Sequence, residues 1–252
     1  MKILHLDIET APHKVYAWGL WKQNISINQI EEAGFTLCWA AKWHGEPEIF
    51  FNSVQESSSK EMLQEIHALI SEADAVVHYN GTGFDMPTLN QEFLLHGMAP
   101  PAPYKQIDLL KTARSQFRLP SNKLDYVARH LNLGSKLHHK GMPLWTGCMD
   151  GNEADWKVMK RYNIQDVKLL EKVYKRLLPW INNHPNVALY KDTKDRPVCT
   201  NCGSHHVQSR GTAKTSTMEY QRFQCNGCGK WLRGRTNTLT KTKKASLLIS
   251  NY

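Results

Sequence analysis

Short apolar runs alternate with polar turns through the first hundred residues, and helical spacing takes over after them. Ile3–Ile8 is an apolar run ending in acids, Phe35–Trp43 is apolar and aromatic, and Glu48–Phe51 follows Gly45 and Pro47. These runs predict three strands joined by short turns. Lys60–Ile70 places Met62, Leu63, Ile66, Leu69 and Ile70 at helical spacing. Ala75–Tyr79 predicts a short buried strand, Asn80-Gly81-Thr82-Gly83 a turn, and Phe84–His96 a helix with Pro87 in its first turn. Helical patterns dominate from Ile107 to Leu178. Strands, one helical crossover, a further strand and then helices predict an α/β domain over residues 1–184, with helices packed on the sheet.

Pro179, Asn182, Asn183, Pro185 and Asn186 end the last long helix. Residues 185–198 are the expected linker, 199–235 a second small domain, and 236–252 a Thr- and Lys-rich basic tail. Apolar residues make up 41% of the 252 positions, enough for a core. No apolar run reaches the length of a membrane span, and Asp7 interrupts the first apolar stretch, unlike a signal peptide. The expectation is a cytoplasmic protein with no membrane association. The compact two-module design suggests a bacterial or viral origin.

Charge separates the two parts. Residues 1–190 hold 20 basic and 20 acidic side chains, and residues 191–252 hold 12 basic and 3 acidic, which accounts for the whole net charge of +9. A basic module attached to a neutral one predicts a polyanionic partner, most often nucleic acid. A solvated, solubilising tail is the plainer alternative.

Four acids stand out by position. Asp7 and Glu9 are one residue apart at the end of the first strand, so both carboxylates point to one face while Leu6 and Ile8 turn inward. Two carboxylates aimed together repel unless a cation lies between them. Asp85 opens the helix after the Gly-rich turn, where the helix dipole alone favours an acid. Asp166 lies four residues after Tyr162 in Tyr162-Asn163-Ile164-Gln165-Asp166, on the same helix face. Asp108 and Asp125 are read as a strand-end acid and a helix acid.

Each piece is modest, but their order is specific. Strand–DIET, strand–NGTGFD and helix–YNIQD together resemble the DEDD exonuclease superfamily, which includes the proofreading domains of DNA polymerases. The resemblance covers roughly residues 1–180. It implies an RNase H-like mixed sheet flanked by helices, and places the metal ligands on Asp7, Glu9, Asp85 and Asp166. With Tyr162 before the final acid, the chain is similar to the tyrosine subclass, in which that hydroxyl holds the attacking water. Thr10, Asn80 and Phe84 match further motif positions and are candidate substrate contacts. Carboxylates without a surrounding His or Cys cluster favour two Mg²⁺ or Mn²⁺ ions over Zn²⁺. The implied activity is a metal-dependent 3′→5′ exonuclease, acting on DNA in preference to RNA, with a separate polymerase or replication or repair protein as a possible partner. A structure-selective endonuclease or ribonuclease on the same site, and an inactive nucleic-acid-binding protein, are the alternatives.

The other chemistry is cysteine. Cys199-Thr-Asn-Cys202 and Cys225-Asn-Gly-Cys228 are two CxxC pairs, each followed by glycine, and they predict one structural Zn²⁺ in a zinc ribbon. Cys38 is expected in the core, and Cys148 in a loop with no role. The ribbon's sequence around Gln221–Cys225 and Gly229–Trp231 resembles the zinc ribbons of transposase-associated DNA-binding modules. Arg222, Lys230, Trp231 and Arg233 are its candidate substrate contacts, the basic groups on phosphate and the aromatic on bases. Tyr220, Phe223 and Trp231 serve equally well as the ribbon's small core. In the first domain, Lys136, His138, His139 and Lys140 form a basic patch that either faces substrate phosphate or is a set of solvated loop residues, with Lys140 the candidate substrate contact. Trp18 and Trp21 either wedge against a terminal base or pack on the domain surface.

Overall fold

The computed structural model describes residues 1–192 and 196–249. Residues 193–195 of the expected linker and 250–252 of the expected tail lie outside the described residues. The chain divides into two compact units, Met1–Lys175 and Arg176–Tyr252.

The first unit is built on β1 (Ile3–Thr10). A small excursion, β2 (Lys14–Val15) paired with β3 (Ile30–Glu32), separates it from β4 (Thr36–Trp43) and β5 (Phe50–Ser53). Then come α1 (Ser59–Glu72), β6 (Ala75–His78), α2 (Asp85–Leu95) and β7 (Lys105–Asp108). The unit closes with α3 (Leu109–Gln116), α4 (Leu124–His130), α5 (Met142–Met149) and α6 (Glu153–Leu177). The sheet order is β5-β4-β1-β6-β7. β4 pairs antiparallel with β5 and β1, whereas β1–β6 and β6–β7 are parallel. The helical crossover between β1's neighbours makes the sheet mixed, as expected.

β1 is central, and its alternation sets two layers. Leu4, Leu6 and Ile8 point to one face and pack with Trp39, Met62, Leu63, Ile66, Ile70, Leu89 and Phe93, under α1 and α2. Residues 5, 7 and 9 point to the other face. There Cys38, Leu37, Leu144, Cys148, Trp156, Met159 and Tyr162 form a second cluster with α5 and α6. α1 starts where the sequence signals it, with Ser58 accepting from Glu61 N and the Glu61 side chain returning to Ser58 N.

Three expectations need correction. Ile107–Asp108 is the end of a strand, not the start of the helical region. Four residues are too few to show a period, and α3 begins with no intervening turn because Asp108 caps it through Leu110 N and Lys111 N. Cys148 is buried in α5, not in a loop. Trp18 and Trp21 do not pack on the domain surface, being 99% and 84% exposed on the segment between β2 and β3. Asp108 and Asp125 lie where expected, at a strand end and in the first turn of α4.

The second unit is a three-stranded sheet, β8 (Val207–Lys214), β9 (Glu219–Cys225) and β10 (Trp231–Asn237), in the order β10-β9-β8, followed by α7 (Lys241–Ala245). Val187–Tyr190, within the expected linker, forms a short 3-10 turn. Val187 N donates to Thr200 O at 2.7 Å and Lys191 Nζ to Gly203 O at 3.0 Å, so this stretch is bound to the first CxxC turn. No helix among the described residues is long and apolar enough to cross a membrane.

Candidate active site

Strand geometry presents Asp7 and Glu9 together, and the register puts them opposite Ala40 and Cys38 of β4. A bulge after Glu9 displaces Thr10 from that register. α6 crosses this face and delivers Tyr162, Asn163 and Asp166, the last two fully buried. Oxygens of Asp7, Glu9 and Asp166 all lie within 4.8 Å of one another. Asp166 Oδ1 is buried with no hydrogen-bond partner. An orphaned carboxylate oxygen in a cluster of three acids fits a hard divalent cation, and the all-oxygen donor set fits Mg²⁺ or Mn²⁺.

Asp85 approaches from the other side of β1 but is not part of that set. The turn before it is tight. Asn80 adopts a left-handed φ of 72°, and a Cβ on Gly81 would sit 2.4 Å from His78 Cγ, so glycine is required there. Asp85 Oδ1 accepts from Ile8 N at 3.2 Å. Asn80 N donates to Asp108 Oδ1 at 3.0 Å, which ties the turn to the head of α3. Phe84 is 44% exposed at the N-terminus of α2.

The electrostatics follow from crowding. Burial, with the charges of Asp166, Asp85 and Glu9, raises Asp7 well above the ordinary carboxylate range. Burial pushes Glu9 up to about 8, although Lys136 pulls the other way. Burial pushes Asp85 up to about 6 against the favourable Ile8 N–H. Burial also raises Asp166, opposed by Lys136. Burial and the Asp166 charge raise the Tyr162 hydroxyl, so it keeps its proton throughout the neutral range.

Several side chains have roles here that the sequence does not reveal. Lys136 Nζ lies 2.5 Å from Asp166 Oδ2 and 3.0 Å from Tyr162 Oη. Burial opposes its charge, but Asp166 and Asp7 outweigh that and raise its pKa. Asp125 Oδ1 accepts from Lys136 N and holds that loop. Lys136 stood out only as part of a basic patch, with nothing in the spacing to separate it from its neighbours. Asn163 donates to Asp7 Oδ2 at 2.8 Å. His139 and Trp145 wall the Tyr162 ring edge-on at 4.8 and 6.2 Å. Lys140, the expected phosphate contact, is instead paired with Asp155 at 2.7 Å.

A cavity of about 550 Å³ opens from Asp7 and Lys136 past Tyr79 and Asn80 to Arg114 and Lys123. That size falls in the range of small-ligand sites. A second group with metal-ligand chemistry, His5, His44 and Glu171, lies two residues back along β1. Its carboxylate is already neutralised by Lys42 and Lys175, each at 2.9 Å, and accepts from Gly45 N. That makes it an ion-pair network and a poor cation site.

In the second unit, Cys199 Sγ and Cys228 Sγ are 3.6 Å apart, and Cys202 Sγ and Cys225 Sγ 3.5 Å. Four thiols within 4.8 Å fit a tetrahedral Zn²⁺, whose S···S edges are roughly 3.8 Å for Zn–S bonds of about 2.3 Å. Arg222 lies opposite Arg233 in the β9–β10 register. Arg222 sits over Trp231 at 5.1 Å and Arg233 over Tyr220 at 4.1 Å. Lys230, expected on substrate, donates to Ile181 O at 2.9 Å.

With this geometry in hand, known proteins supply a family. The family model RNase_H_2, of the RNase_H superfamily, matches residues 4–178. Among solved structures, the family B DNA polymerase from the hyperthermophilic archaeon Pyrobaculum calidifontis is similar to the chain with a TM-score of 0.54 and 16% identity. That similarity covers 71% of this chain but 24% of the polymerase, so the chain spans about a quarter of its length. At this identity the likeness is one of fold. No curated protein sequence matches the chain.

Two outcomes follow from the two clusters. Burial pushes Glu9 up to about 8 and raises Asp7 in the same direction, and crowding of the carboxylates adds to both shifts. Divalent cation binding near pH 7 should therefore release protons. Calorimetry in buffers of different ionisation enthalpy measures this, and the Glu9 share should vanish as pH rises past about 8. Binding with no proton release would mean that the acids are already ionised. For the ribbon, a strong chelator should remove one zinc and unfold residues 197–235 while the first unit keeps its fold. Hydrogen exchange reads both regions, and an ordered ribbon free of zinc would contradict it.

Proposed function

The chain belongs to the RNase H superfamily, and from that premise we propose that it is a metal-dependent 3′→5′ exonuclease acting on nucleic acid, with DNA favoured over RNA. The observation that carries this reading is the convergence of Asp7, Glu9 and Asp166 within 4.8 Å beside a protonated tyrosine hydroxyl. The preference for DNA rests on analogy with the resembled families alone.

Two Mg²⁺ or Mn²⁺ ions, when bound, supply charge neutralisation and acidify water beside the scissile phosphate. Asp7, Glu9 and Asp166 would hold them, and Asp85, which lies outside that 4.8 Å cluster, would have to join them from the head of α2. Tyr162 acts through position. Its pKa is pushed up, so its hydroxyl donates a hydrogen bond to orient the attacking water and does not serve as a base. Lys136 offsets the buried Asp166 charge and stands ready for a phosphate oxygen. The cavity from Asp7 past Asn80 to Arg114 and Lys123 takes the terminal nucleotide, and the motif positions Thr10 and Phe84, which do not line it, stay candidate contacts by resemblance alone.

The ribbon, held by Zn²⁺ on Cys199, Cys202, Cys225 and Cys228, supplies a sequence-independent grip. Like charges directly opposite on paired strands are destabilising, and a phosphate backbone lying across the Arg222–Arg233 pair would relieve that repulsion. Trp231 is half exposed but its face is taken by Arg222, so base stacking there requires the arginine to move.

A strand labelled at its 5′ end, incubated with Mg²⁺ or Mn²⁺, should give a ladder shrinking from the 3′ end. A single internal cut would make the protein an endonuclease, and a gel shift without cleavage a binding protein. Asp7→Ala should abolish cleavage with the fold intact. Tyr162→Phe should lower kcat by roughly 10- to 1000-fold, and wild-type turnover in that variant would remove the role given to the hydroxyl.

A further inference from the structure

We propose that Asn163 is a positioning residue that holds the Asp7 carboxylate in its cation-binding orientation, an inference that rests on the metal-site reading above. Asn163 follows Tyr162 on α6 and is fully buried. Its Nδ2 lies 2.8 Å from Asp7 Oδ2 and 3.3 Å from Asp7 O, so one amide group spans the side chain and backbone of the same residue. Among the described residues, it is the only side chain that donates a hydrogen bond to Asp7.

The need for such a contact follows from the charges. Asp7 faces three other carboxylates, those of Asp166, Asp85 and Glu9. Left to itself, its carboxylate would turn away from them. Lys136 donates to Asp166, not to Asp7. A neutral amide on one oxygen restrains Asp7 without adding a positive charge that would compete with a bound cation. The amide's orientation is itself set. Its Oδ1 faces Cys38 Sγ at 3.9 Å on β4, while a flipped amide would turn oxygen toward the Asp7 carboxylate. The pairing of Cys38 with Glu9 in the β1–β4 register puts this support directly behind the acidic pair.

Mn²⁺ binding, followed by the paramagnetic resonance signal of the free ion without nucleic acid, tests the inference independently of turnover. Binding is referenced to Asp7→Ala, which subtracts any ion taken up elsewhere. Asn163→Ala should weaken this site-specific affinity roughly 10- to 100-fold. Cleavage should show a matching rise in the Mn²⁺ needed for half-maximal rate, with kcat largely restored at saturating Mn²⁺. A side chain that merely packs would lower the melting temperature and leave the affinity unchanged. Should alanine's cavity unfold the protein, Asn163→Thr has nearly the same volume, lacks the amide, and is expected to give the same loss. Wild-type affinity in either folded variant overturns the inference alone. Wild-type protein binding no more Mn²⁺ than Asp7→Ala would remove the metal site and this inference with it.

Discussion

The repulsion among buried carboxylates on one face of β1 is the constraint around which the first unit is organised. Asp7 and Glu9 are committed to that face by strand geometry, because Leu4, Leu6 and Ile8 occupy the core on the other side. α6 adds Asp166 to the same space. Three of the four acids are then stabilised, each by a different device. Asp166 has the Lys136 ammonium, Asp7 the Asn163 amide, and Asp85 the Ile8 backbone N–H. These devices hold the side chains in place but do not cancel the charge, since all four acids remain raised. Such residual strain suits a site meant for a doubly charged ion, because filling the site relieves it.

The local signals in the sequence were strong where one element decided its own structure. β1, β4, α1, β6 and α2 follow from short apolar runs and helical spacing, and their ends fall within a few residues of expectation. β7 showed only in its terminal acid, Asp108, because Lys105–Asp108 is short, buried at one end and joined directly to α3. The acids were legible because three motifs in order carry information that none carries alone. Lys136 and Asn163 were not legible as functional residues, for a physical reason. Their significance lies in contacts across 30 and 156 positions of sequence, to Asp166 and Asp7. Lys140, four residues beyond Lys136 and of the same chemical type, is instead held by Asp155. Charge and spacing cannot tell such neighbours apart.

The charge division between the two parts of the chain has a parallel in how each treats its charged side chains. The first unit pairs basic groups with acids, as Lys42 and Lys175 on Glu171 and Lys160 on Glu56 show. In the ribbon, Arg222 and Arg233 face each other and rest on aromatic rings. A cation on an aromatic face is held in place yet keeps its charge for an external anion. Arg222 and Arg233 are thus held in place without an acidic partner among the described residues, whereas Lys214 of the same sheet pairs with Glu219 at 3.6 Å.

Two clusters along β1 show why ligand identity alone does not make a metal site. His5, His44 and Glu171 offer two imidazoles and a carboxylate at close range, a set that many transition metals accept. Yet both Glu171 oxygens are taken by lysines, and its pKa is held down at about 2, the mark of a carboxylate whose charge is already matched. Asp7, Glu9 and Asp166 share a single lysine among three acids, Asp166 Oδ1 has no partner, and their pKa values are displaced upward. The sign of the displacement separates a satisfied network from an unsatisfied one. By that criterion Asp7, Glu9 and Asp166 are the unsatisfied cluster of the two, and they stand where the DIET and YNIQD segments meet.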